Sequence, residues 1–258
     1  MKQRLVSLAR AAGLLPAFDA LRYMRSKWAS AKENARFCEA HPDFIPPPLW
    51  WMHDMYRHTS FDLYWKTGGE TAAALTRLID AHVKTDTPRV ADWGCGLARV
   101  LRHLPAQYQR TGFDYNEHAV QWCADHIEGA QFFHNGLMPP LPAAAASFDA
   151  LYALSVFTHL SEAAHDAWMH DIARVLAPGG IFLGAFHVNL APGQLLPEEQ
   201  ARFDAGKLVV RGRVKEGSRT YVAYHPESWL RNHLFHGWEI LEGPVEFFGQ
   251  TLFVARRP

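Results

Sequence analysis

Val90-Ala91-Asp92-Trp93-Gly94-Cys95-Gly96-Leu97-Ala98-Arg99 is the stretch that decides the fold. An apolar strand runs into an acid, a tight Gly-x-Gly turn follows, and the spacing predicts a helix carrying Val100, Leu101 and Leu104. Gly94 and Gly96 let the main chain turn sharply and approach a ligand closely. Twenty positions beyond Gly94, the segment Arg110-Thr111-Gly112-Phe113-Asp114 reads as a second strand ending in another acid. Parallel strands that bring a glycine turn and a carboxylate to one sheet edge make a nucleotide pocket. Asp114 stands where a carboxylate accepts two ribose hydroxyls.

Outward from this stretch, strands and helices alternate. Arg89–Asp92 is the first strand, and Asn116 caps a helix reaching about residue 127, with Glu117 in its first turn. Gln131–His134 reads as a third strand, and Phe148–Ser155, apolar almost throughout, as a fourth covered on both faces. Ser161 caps a helix with an inner stripe of Trp168, Ile172, Val175 and Leu176. Pro178-Gly179-Gly180 ends that helix, and Ile181–His187 is the fifth strand. Residues 188–219 are polar and read as an insertion capping the carboxyl edge. Thr220–Tyr224 is a short strand, Pro226 starts a helix with Trp229, Leu230 and Leu234, and Trp238–Leu241 and Thr251–Ala255 are closing strands. This alternation implies an α/β protein with a parallel, doubly wound sheet.

The 258 residues, 48% apolar, suit one such domain with additions, and zero formal net charge gives no overall field favouring nucleic acid. Cys38, Cys95 and Cys123 lack metal-ligand spacing and form no disulfide framework, so no metal is expected and a reducing, cytoplasmic setting is. No apolar run has the length of a membrane span, and Arg10 interrupts the only signal-like stretch. Residues 1–60 read as an N-terminal helical extension and 61–258 as the catalytic domain. Residues 1–37 hold eight Lys/Arg against Asp19 and Glu33. Leu5, Leu8, Ala12 and Leu15 share a helical face until Pro16 interrupts, and Phe18, Leu21, Arg25 and Trp28 continue a mixed stripe, giving two short amphipathic helices. Such helices either touch an anionic surface, which would place residues 1–36 against the inner membrane, or pack on the domain or form a homodimer contact. Pro46-Pro47-Pro48 forces an extended turn, an aromatic-rich segment follows, and Thr67-Gly68-Gly69 leads into a helix near 70–83.

Four segments together resemble the class I methyltransferases that use S-adenosylmethionine (SAM). They are Asp92–Arg99, Gly112-Phe113-Asp114-Tyr115-Asn116, Phe148–Leu160, and Arg174-Val175-Leu176-Ala177-Pro178-Gly179-Gly180. Their order and spacing are far more specific than a lone Gly-x-Gly. Pro47-Pro48-Leu49 and Asn135-Gly136-Leu137-Met138-Pro139-Pro140-Leu141-Pro142 narrow the likeness to bacterial members that often accompany glycan or natural-product pathways. The resemblance implies a Rossmann-like seven-stranded sheet with an antiparallel last strand, and SAM as cofactor. It implies that the Gly94 and Gly96 backbone contacts the methionine end of SAM, with Asp92 and Cys95 in the same loop, that Asp114 holds ribose, Tyr115 lies against adenine, Asn135, followed by Gly136, stands where the adenine amine is met, and Ser155 lines the pocket; Asp92 reads either as a cap of the loop or as indirect support for the ligand. Ala98 replaces the third glycine of the first motif.

The chemistry expected of such a protein is methyl transfer to a small-molecule or saccharide acceptor, most simply at a hydroxyl. His159, after the fourth strand, reads either as a general base or as a cap for the next helix. His187, ending the fifth strand, is the second candidate base, and His225 reads as an N-cap or packing group. Tyr64 and Gly68 either close over SAM or pack the N-terminal segment. Lys207, Arg211, Arg213 and Lys215 are either a solvated face or a grip on an anionic acceptor. Two rival readings share the Gly-x-Gly turn. A nicotinamide-dependent oxidoreductase would want a glycine where Arg99 stands, and a non-catalytic scaffold in a glycan assembly complex would not need an intact Asp114.

Overall fold

The computed structural model describes residues 15–258, so the Leu5, Leu8 and Ala12 stripe lies outside the described residues. The chain divides into two compact units, 1–67 and 68–258.

In the first unit α1 (Leu15–Ala40), α2 (Leu49–Tyr56) and the start of α3 (Phe61–His82) enclose a small aromatic core of Phe37, Phe44, Met52, Phe61 and Tyr64. The described helix runs from Leu15 as one 26-residue element with Pro16 in its first turn, and the expected helix before Pro16 lies outside the described residues. The first four N–H groups of a helix have no internal partner, so proline removes nothing there. α1 turns polar groups inward. Asn34 brackets the start of α3, its Nδ2 donating to the Thr59 carbonyl at 2.8 Å and its Oδ1 accepting from the Phe61 N–H at 2.9 Å.

In the second unit β1 (Arg89–Trp93), β2 (Gln109–Asp114), β3 (Ala130–His134), β4 (Phe148–Ala153) and β5 (Leu176–Phe186) run parallel. Two further strands complete the seven-stranded sheet, in the order β3-β2-β1-β4-β5-β9-β8. β8 spans Glu239–Phe247, and β9, Gln250–Arg256, lies antiparallel to both neighbours. Strand side chains alternate between two cores: Leu151 and Ala153 join Trp93, Trp168 and Phe182 on one face, while Ala150 and Tyr152 join Val90, Leu75 and Ile79 on the other. A sheet buried on both faces accounts for the nearly unbroken apolar runs of its strands. Helices α4 (Glu117–His126) and α5 (Glu162–Val175) start where their caps predict, with Asn116 and Ser161 accepting from the N–H groups of Ala119 and Ala164.

Several boundaries differ from expectation. No α-helix follows the Gly-x-Gly turn; Leu101–His103 is a single 3-10 turn. Ala98 adopts a left-handed φ of 55°, and Pro105 holds Leu104 extended at ψ 151°, which leaves no room for helical propagation. Thr67-Gly68-Gly69 lies inside α3 rather than before it. A Cβ on Gly68 would fall 2.1 Å from the Arg99 carbonyl oxygen, so this glycine permits a close approach rather than breaking the helix. Leu176 belongs to β5, and Ala177–Gly180 bulges out between the pairs Phe148–Leu176 and Ala150–Ile181.

The insertion contains α6 (Pro197–Asp204) and β6 (Val209–Arg211). β6 pairs antiparallel with β7 (Val222–Tyr224) in a separate two-stranded sheet, so the strand at 220–224 stands outside the main sheet. The helix begun by Pro226 is three α residues, Glu227–Trp229, followed by a π turn over Leu230–Leu234. Among the described residues no helix is long and apolar enough to cross a membrane.

Candidate active site

The site sits at the carboxyl ends of β1, β2 and β4. Gly94 (φ 83°) and Gly96 (φ 55°) turn the chain back across β2, and the N–H groups of Gly94 and Cys95 both donate to the Phe113 carbonyl, at 2.7 and 3.0 Å. Asp114 ties the turn to its strand: one carboxylate oxygen accepts from the Gly96 N–H and the other from the Asn116 N–H, each at 2.8 Å. Burial pushes the Asp114 carboxyl up while these backbone donors hold it down. Each oxygen keeps a further lone pair, so a diol can still be accepted.

Asn135 is brought beside Asp114, its N–H donating to the Asp114 carbonyl at 3.0 Å. Its Nδ2 donates to the Gly136 carbonyl at 2.7 Å, which leaves Oδ1 buried with no partner. A buried, unsatisfied amide carbonyl needs a donor to complete it, and an adenine amine is such a donor. Tyr115 stays half exposed at the end of β2. Asp92 lies beneath the turn, accepting from the Tyr152 hydroxyl at 2.8 Å, and burial raises its carboxyl to about 7. The Cys95 thiol points into the core, where a Cβ on Gly112 would lie 2.9 Å from its sulfur, and burial holds it well above the usual thiol range. Only the Cys95 backbone is therefore presented at the turn. Ser155 is exposed, with φ 61°, and donates to Gln250 Oε1 at 2.8 Å. Tyr64 is fully buried in the first unit against Phe44 and Tyr56.

The two candidate bases are both held by the segment expected as a short strand at 220–224. His159 Nδ1 lies 2.7 Å from the Tyr221 carbonyl and His187 Nδ1 lies 3.3 Å from the Ala223 carbonyl. A carbonyl only accepts, so both Nδ1 atoms carry the proton and both Nε2 atoms present a lone pair. Burial lowers both pKa values, and His159 further depresses His187. His225 is a packing group rather than a helix cap, set against Phe186 and Trp229. Fully buried, it lies 2.9 Å from His165 through their Nε2 atoms. His165 Nδ1 donates to the Ser161 carbonyl at 2.7 Å, so His225 donates to His165, and the His225 Nδ1 lone pair has no partner.

Residues 216–217 of the insertion cross the carboxyl edge, and no motif announces them. The Gly217 carbonyl accepts from the Tyr115 hydroxyl at 3.1 Å, and its N–H donates to the His159 carbonyl at 3.0 Å. Glu216 Oε1 accepts from the Ser161 N–H at 2.6 Å. The basic cluster is not one surface. Arg211 donates from two nitrogens to Glu199, at 2.8 and 2.5 Å, and to the Gln194 carbonyl at 2.8 Å, so its charge serves the cap. Among the described residues no cluster of His, Cys, Asp or Glu could hold a metal ion.

The residues present fit SAM: an acceptor carboxylate for a ribose, an unsatisfied carbonyl for an adenine amine, and an open glycine turn at one sheet edge. Residues 90–180 match a family described as a methyltransferase domain, including the turn at 177–180 that an oxidoreductase leaves unexplained. The chain is 34% identical over 135 residues to the fatty-acid O-methyltransferase of Mycolicibacterium smegmatis, covering 48% of this chain and 46% of that one; it thus spans about half the length of this curated relative. Solved structures share the fold at lower identity. A SAM-dependent methyltransferase from Methanosarcina mazei aligns with TM-score 0.52 and 17% identity over 70% of this chain and 96% of its own. SAM-bound CalS10, an amino pentose methyltransferase of calicheamicin biosynthesis from Micromonospora echinaspora, aligns with TM-score 0.53 and 18% identity over 74% and 92%. The seven-stranded sheet, the four motifs and the matched segment agree, and residues 90–180 carry a methyltransferase domain.

Proposed function

We propose that the protein methylates a hydroxyl oxygen of a small organic acceptor. The observation that carries this reading is the tautomer of His159 and His187. Both rings are held neutral by burial and offer Nε2 lone pairs at the ends of β4 and β5. A neutral acceptor nitrogen takes a proton from an alcohol as its oxygen attacks, whereas it repels a carboxylate. Bound SAM supplies a methyl group made electrophilic by a positively charged sulfur. Asp114 and Asn135 would hold its ribose and adenine, and Gly94 and Gly96 would line its methionine end. His159 or His187 receives the acceptor's proton, while Gly217 and Glu216 cover the edge and keep water from competing.

The relative's name favours a second reading, transfer to a fatty-acid carboxyl group. The two separate in one experiment, in which labelled methyl transfer is followed with sugar, aliphatic alcohol and fatty-acid acceptors. Hydroxyl transfer needs a neutral base, so kcat with an alcohol should fall on an acid limb displaced below the ordinary histidine value of about 6.5, because burial lowers both rings, and His159→Gln or His187→Gln should lower it by about 10²–10⁴. Fatty-acid transfer that survives both substitutions with a flat acid limb would replace the hydroxyl reading with the carboxyl one.

A further inference from the structure

α1 has two opposed faces. At about 100° per residue, Asp19, Tyr23, Ser26, Ser30, Asn34 and Phe37 fall within about 80° of one another, and this is the face turned inward. Phe18, Leu21, Met24 and Trp28 fall on the opposite side, and all four are exposed, Leu21 to 68% and Trp28 to 77%. A helix that buries serine and asparagine while presenting phenylalanine, leucine, methionine and tryptophan to water inverts the ordinary arrangement. The apolar file is bordered by exposed cations. Arg25 and Lys32 lie within about 60° of its centre, with Arg36 and Arg22 successively further along the same edge. Glu39 at the far end and Glu33 are the acids on the exposed side, and Asp19 is held at 3.3 Å by Arg57.

We propose that this face of α1 docks on an anionic lipid bilayer surface, lying in the interface rather than crossing it. Trp28 and Phe18 are the residue types that settle at the boundary between headgroups and acyl chains, and Leu21 and Met24 between them add apolar area. Arginine and lysine stems lie along such a surface while their charges reach the lipid phosphates and carboxylates. A second copy of the chain fits the face less well. A two-fold contact sets the same patch against itself and would bring Arg22, Arg25, Lys32 and Arg36 against their own counterparts.

The test is flotation of the full-length chain with phosphatidylcholine vesicles and with vesicles containing phosphatidylserine. Wild type should float with the anionic vesicles at low salt, stay behind with the neutral ones, and lose binding as salt rises. Each cation removed should lower the partition about fivefold, so Arg25→Gln/Lys32→Gln should lower it about 25-fold. Leu21→Ser/Trp28→Ser should lower it at least tenfold. All four positions are exposed, so both variants should keep the wild-type circular dichroism and melting temperature. Failure of wild type to float, equal flotation with neutral vesicles, or variants that float like wild type would overturn the proposal. So would a concentration-dependent dimer that Leu21→Ser/Trp28→Ser abolishes, which would assign the face to a second copy.

Discussion

Acidification should destabilise this protein through the buried His165–His225 pair. Burial lowers His165 to about 4 and drives His225 well below its ordinary value. An unfolded histidine takes up a proton near pH 6.5. Between pH 6.5 and about 4 the unfolded chain therefore binds protons that the folded chain refuses, and stability falls as pH falls. At pH 5.5 an unfolded histidine with a pKa of 6.5 gains about 1.4 kcal/mol over its neutral form, and a folded one with a pKa near 4 gains almost nothing, so the pair accounts for about 2.8 kcal/mol. The perturbation is His165→Gln/His225→Gln, which keeps amide hydrogen-bonding groups in place and removes both titrations. Urea unfolding free energies at pH 7.5 and 5.5, followed by tryptophan fluorescence, give the difference. The double variant loses some stability at pH 7.5, but its drop from pH 7.5 to 5.5 should be smaller than that of wild type by about 2.7 kcal/mol. If both proteins lose the same free energy over that interval, the pair is not neutral in the fold and the tautomers assigned to it are wrong.

Three further outcomes are expected. Asp114→Ala should weaken S-adenosylhomocysteine binding in calorimetry at least tenfold, since each charge-assisted hydrogen bond to ribose contributes about 1.5–3 kcal/mol; unchanged affinity in a folded variant would remove Asp114 from the site. Gly68→Ala should lower the melting temperature, with overpacking against the Arg99 carbonyl costing about 1–3 kcal/mol even though alanine is intrinsically about 1 kcal/mol better in a helix; a stabilised variant would show the contact to be loose. Arg211→Ala should speed hydrogen exchange across residues 195–211 by loosening Glu199 and Gln194, and leave S-adenosylhomocysteine affinity unchanged; unaltered exchange would mean that the Arg211–Glu199 pair does not hold the cap.

What could be read from the chain depended on how local the signal was. Asn116 and Ser161 fix their helix starts within three residues of themselves, so both were legible. The parallel strands were legible because burial on both faces leaves unbroken apolar runs such as Phe148–Ala153. Two local signals misled. Thr67-Gly68-Gly69 reads as leading into a helix, yet it lies inside one, and Gly68 is needed for contact with Arg99, over thirty positions away. The helix after Gly96 was expected from pattern alone, and the left-handed backbone at Ala98 stops it.

The site divides along the same line, with a consequence for what the chain shares with its relatives. Asp114, Asn135 and the two glycines are carried by motifs inside the matched segment 90–180, and they are the groups that fit SAM. The groups that shape the other side of the site lie beyond it. Tyr221 and Ala223 set the tautomers of His159 and His187 from across 62 and 36 positions of sequence, and Gly217 reaches Tyr115 across 102. The short strand at 220–224 thus decides which nitrogen each histidine presents, and the end of the insertion covers the carboxyl edge. The groups that fit the donor travel with the sheet, while the groups that set the histidine tautomers and cover the edge travel with residues 216–223. A relative with the same four motifs and a different insertion would be expected to bind the same donor and methylate a different compound.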